Sequence, residues 1–108
     1  MPELSKRVRK QARDLISVAY TRELNQCLDG LEKKFNEWRK NTIDCWELKD
    51  FIHQFHDGAS RDLYNIYNCP KSELSLLSRA ILHGLLQKEE LSQELFELSN
   101  ALINKMKS

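Results

Sequence analysis

A chain of 108 residues with only three glycines and two prolines has room for one hydrophobic core and too few turn formers for a many-stranded fold. Its 31% charged and 41% hydrophobic residues fit an ordinary globular protein, and no apolar run approaches the roughly 20 residues of a membrane span. The net charge of +1 excludes a uniformly basic or acidic binding surface, yet that charge is unevenly spread.

Residues 1–22 carry Lys6, Arg7, Arg9, Lys10, Arg13 and Arg22 against Glu3 and Asp14, a balance of +4. Residues 23–68 carry six basic and nine acidic groups, a balance of −3, and the remainder is neutral. Such asymmetry points towards nucleic acid, an acidic partner or head-to-tail pairing of like chains. The three cysteines, Cys27, Cys45 and Cys69, are odd in number and widely spaced. They form neither a disulfide framework nor a zinc-ligand pair, which fits a reducing compartment. The N-terminus lacks the apolar core of a secretory signal, so the expected location is cytoplasmic.

Leucine, glutamate, lysine and arginine dominate, and all favour helix. Pro2 and Glu3 suit a helix start, and no strong stop follows before Asn41. Val8, Ala12, Leu15 and Ala19 form one apolar stripe, and Leu24, Leu28, Leu31, Phe35 and Trp38 form a second, offset one. A helix over 4–41 would be on the order of 55 Å long, so part of it is expected to overhang and meet another chain.

Asp44 with Glu47 three residues later predicts an N-cap and a second helix to about Tyr67. Leu48, Ile52, Phe55, Ala59, Leu63 and Ile66 keep helical phase across Gly58, which favours one continuous helix with His56 on its apolar face. Asn68-Cys69-Pro70 reads as a turn. A third helix is predicted from Lys71 or Ser72 to Leu86, a connection over 87–90, and a fourth helix from Ser92 to about Lys105. The expected fold is all-α: a single domain over 1–108, built as a long antiparallel hairpin with two further helices packed on it, bundle-like.

Chemistry is sparse. Asp50, His53 and Asp57 fall on one side of the second helix over two turns, a pattern that can bind a divalent metal or serve acid–base work. Trp46, His53, Asp57 and Tyr64 share that neighbouring stripe and make a candidate binding surface. Lys6, Arg7, Arg9, Lys10 and Arg13 are the candidate nucleic-acid contacts, although they surround Val8 and Ala12 rather than forming a clean stripe.

Other patterns fail. Glu47/Asp50 and Glu94/Glu97 have the spacing of magnesium-binding carboxylates in all-helical nucleotide pyrophosphohydrolases, but they lie on separate helix sides. Residues 76–95 have a helix-turn-helix spacing at Ala80 and Gly84, but the would-be recognition helix carries Glu94 and Glu97 and no base before Lys105. No phosphate loop, nucleophile elbow or cofactor motif is present.

The run Trp38, Ile43, Glu47-Leu48, Ile52-His53, Phe55-His56 and Gly58, about a fifth of the chain, resembles a motif of short, uncharacterised bacterial helical proteins with an IHxFHxG-type helix. That resemblance implies a bacterial, cytoplasmic protein and carries no activity. Without a catalytic set, the residues point to a non-enzymatic interaction or regulatory module, homodimeric through its long first helix, with an antitoxin-like regulator as one concrete form. A metal-binding protein or metal-dependent enzyme is the alternative, and nucleic-acid binding the third.

Overall fold

The computed structural model describes residues 5–68 and 72–107, and within them every regular element is helical. The elements are α1 (Lys6–Arg39), α2 (Cys45–Gln54), a π-helical segment (Phe55–Ser60), α3 (Arg61–Asn68), α4 (Glu73–Leu82), a 3₁₀ turn (Lys88–Glu90) and α5 (Gln93–Lys107). The chain divides into two compact units, Met1–Tyr20 with Pro70–Ser108, and Thr21–Cys69. The uninterrupted helix α1 contributes its first half to one and its second half to the other.

Helix α1 begins where Ser5 Oγ accepts the Val8 N–H at 3.2 Å, so a hydroxyl opens the helix. Pro2 and Glu3 lie outside the described residues. Past its end at Arg39 it is closed off by Asn41, whose φ of +61° lets the Asn41 N–H reach the Trp38 carbonyl and the Thr42 N–H reach that of Glu37. That is a Schellman closure, with asparagine tolerating the left-handed position. At α2 the capping box expected from Asp44 and Glu47 is formed: the Glu47 N–H donates to Asp44 Oδ1 at 2.8 Å and the Asp44 N–H to Glu47 Oε1.

In the first unit α4 and α5 pack on each other, and the core holds Val8, Ala12, Ala19, Leu74, Leu77, Leu86, Leu95 and Ile103 among other apolar side chains. Arg9 and Arg13 both approach Glu73, at 3.9 and 3.6 Å, which ties the start of α4 to α1. The third helix is shorter than the predicted span to Leu86. Gly84, at φ +72°, donates to the Ile81 carbonyl and Leu85 to that of Ala80, a second Schellman closure. This turn folds Leu85 and Leu86 inward, so both are buried although neither is helical. Gln87 and Glu90 cap the 3₁₀ turn, and Ser92 Oγ accepts the Leu95 N–H at the start of α5.

In the second unit the latter half of α1 lies antiparallel to α2–α3. Lys34 Nζ sits 4.5 Å from the Phe51 ring centre, and Tyr67 Oη donates to Glu23 Oε1 at 2.7 Å. The helical run from Cys45 to Asn68 is unbroken, as expected, but it passes through the π segment rather than staying α. The turn expected at 68–70 falls largely outside the described residues. None of the described helices is long and apolar enough to cross a membrane.

Candidate functional site

Half of the π segment FHDGAS has little α-helical drive: Gly58 lacks a side chain, and Asp57 and Ser60 compete for backbone hydrogen bonds. A π turn accommodates about one residue more than an α turn, so everything after it is rotated back by roughly 100°. Leu63 and Tyr67 therefore face α1, with Leu63 buried and Tyr67, half-buried like Ile66, bonded to Glu23. On a continuous α-helix Ile66 would lie in line with Leu48 and Tyr67 would stand aside.

The same rotation divides the candidate binding surface. His56, Asp57, Ser60, Arg61 and Tyr64 line an open concavity of about 320 Å³, whereas Trp46 and His53 stand outside it. Trp46 is 69% exposed and Tyr64 60%, high for aromatic side chains. His56 is a correction: it is exposed and lines the concavity, not the apolar face, because it stands about 80° around the helix from Leu48. Ser60 and Arg61 line it too; with Asp57 and Tyr64 they have the i, i+3, i+4, i+7 spacing of one helix side, so periodicity places them together.

Asp50, His53 and Asp57 are all exposed, and among the described residues no group of three His, Cys, Asp or Glu side chains is arranged to hold a metal ion. The stripe spans two turns, and the π segment begins between His53 and Asp57, so the side chains do not converge. The basic segment is partly engaged within the chain. Lys10 pairs with Asp14 at 3.2 Å, and Arg9 and Arg13 are drawn to Glu73. Lys6 and Arg7 are exposed.

Between the latter half of α1 and the run from α2 into the π segment, Cys27, Gly30, Lys34, Phe51, Gln54 and Phe55 border a groove of about 240 Å³. Gly30 opens it, since nothing lies within 4 Å of where a Cβ would stand. Burial pushes the Cys27 thiol pKa up, and the nearby Glu23 carboxylate adds to the shift, so the thiol is held in its unreactive form. Comparison of the chain with protein-family models, with curated proteins and with solved structures finds no match.

Proposed function

We propose that this chain is a non-enzymatic protein-interaction or regulatory module whose contact surface lies on the Thr21–Cys69 unit. One observation carries the reading. Among the described residues that unit buries Leu48 and Leu63 alone as core, while it holds six of the eight exposed large hydrophobics: Leu28, Phe35, Trp38, Trp46, Ile52 and Tyr64. Among the described residues the other unit buries twelve apolar side chains and exposes two large ones. A hairpin of helices gains its stability from covering such side chains, and exposed Trp and Tyr are the residues that anchor protein interfaces. A small regulator that sequesters another protein, in the manner of an antitoxin, is one form of this function.

The test is affinity capture from the native cell with the full chain and with a Trp46→Ala/Tyr64→Ala variant, followed by reconstitution from purified components. The expected result is a partner whose affinity falls by at least roughly tenfold in the variant, with the helical content unchanged. Identical binding by both proteins would exclude this surface.

A further inference from the structure

We propose that the groove beside Gly30 binds a small aromatic acid, with its ring against Phe51 and Phe55 and its carboxylate on Lys34. The space exists because Gly30 on α1 and Ala59 on the π segment contribute at most a methyl group, and nothing lies within 4 Å of where a Gly30 Cβ would stand. Its walls are apolar side chains left incompletely covered. Leu31, Phe51 and Phe55 are all half-buried, in a unit whose described apolar core is Leu48 and Leu63. An apolar body placed there removes that surface from water, and a ring packs on the two phenyl groups edge to face or offset. At about 240 Å³ the groove exceeds the roughly 150 Å³ cavity that holds a benzene ring, which leaves room for one ring and a short arm.

Charge selects the head group. Among the described residues that border the groove, Lys34 is the one charged side chain. Its Nζ stands 4.5 Å from the centre of the Phe51 ring, beside the wall on which the ligand ring packs. An ammonium held there attracts an anion at the edge of an apolar surface and repels a cation. A single lysine balances a single negative charge, which suits a carboxylate better than a phosphate dianion. Lys34 now pairs with Glu37 Oε2 at 3.4 Å, but both side chains are partly exposed, so the contact is weak and a ligand carboxylate can replace it. The Cys27 thiol, kept neutral by its raised pKa, adds no competing charge and behaves as a small apolar group. Neither Trp46 nor Tyr64 borders the groove, so this ligand site stands apart from the surface offered to a protein partner.

The experiment is NMR titration of the isotopically labelled full chain with phenylacetate, and with phenylacetamide and benzylammonium as its neutral and cationic counterparts. The expected result is saturable binding of phenylacetate that shifts the amide signals of Gly30, Lys34 and Phe55. The amide should bind about tenfold more weakly, the value of one charge-assisted contact, and the cation more weakly still. Gly30→Leu fills the space and improves a helical position, so it should abolish binding while keeping the fold. Lys34→Met keeps the apolar stem and should erase the preference for acid over amide. Glu37→Gln releases Lys34 and should tighten phenylacetate by roughly threefold without changing the amide. Circular dichroism checks that each variant keeps its helices. No saturable binding of phenylacetate up to roughly 20 mM, where a ligand of this size binds even at modest efficiency, overturns the proposal. So does equal binding of acid and amide by the unaltered chain, or phenylacetate binding that Gly30→Leu leaves intact. A chain that fails these tests yet captures a partner through Trp46 and Tyr64 would lose the ligand site and keep the interaction-module reading.

Discussion

Tyr67 Oη donates to Glu23 Oε1 at 2.7 Å across 44 residues of sequence, and the π segment Phe55–Ser60 is what turns Tyr67 towards that carboxylate. The bond fastens the open end of the hairpin, where the chain leaves α3. A phenolic donor on a partly buried carboxylate contributes about 1–2 kcal/mol. Tyr67→Phe is therefore expected to lower unfolding free energy by that amount, with Glu23→Gln closer to neutral because an amide oxygen still accepts. Urea denaturation of the two variants checks the order.

Deleting Gly58 is expected to preserve the hairpin. One residue fewer lets 55–60 close as an α-helix while Leu63 and Tyr67 keep their direction, because a π turn is wider than an α turn by about that one residue. Stability should hold or rise, whereas inserting an alanine after Gly58 should rotate Leu63 outward and lower it by roughly 2–3 kcal/mol, the value of a buried leucine. Amide exchange across 61–68, together with thermal melting, distinguishes these outcomes.

Ser78 and Ser99 are both fully buried where α4 and α5 pack. Ser78 Oγ donates to the Leu74 carbonyl at 2.7 Å, while Ser99 Oγ has no partner. A buried unsatisfied hydroxyl costs about 1–3 kcal/mol. Ser99→Ala should accordingly stabilise the chain by around 1 kcal/mol, and Ser78→Ala should be neutral or mildly destabilising. Chemical denaturation of both single variants provides the comparison, and loss of stability in Ser99→Ala would count against the unpaired hydroxyl.

Cys27 is expected to alkylate more slowly than the exposed Cys45, with Glu23→Gln accelerating it by removing one of the two causes of its raised pKa. The sign for stability follows from the same shift. The raised folded-state pKa leaves the neutral thiol's contribution intact below the unfolded-state value, and that contribution is lost as pH rises towards the folded-state value. Cys27→Ser should therefore flatten the decline in stability on the alkaline side. Peptide-resolved alkylation rates and melting temperatures between neutral and alkaline pH test both statements.

The helix-forming composition, the Asp44–Glu47 cap and the two offset stripes of α1 were all local patterns, and they determined an all-α chain with nearly the observed element order. Local signals reach a few residues, so they speak for caps, periodicity and starts. The stop at Gly84 was written locally too, but Leu85 and Leu86 continued the apolar pattern and masked it; tertiary packing decided that those leucines enter the core from a turn. Tertiary structure likewise decided that 55–60 is π-helical, since burial of Leu63 and the Tyr67–Glu23 bond outweigh the lost α geometry. That rotation also sets Tyr64, beside Asp57, Ser60 and Arg61, apart from Trp46. A helical wheel assumes a constant turn per residue, and long-range contacts alone set where that constancy fails.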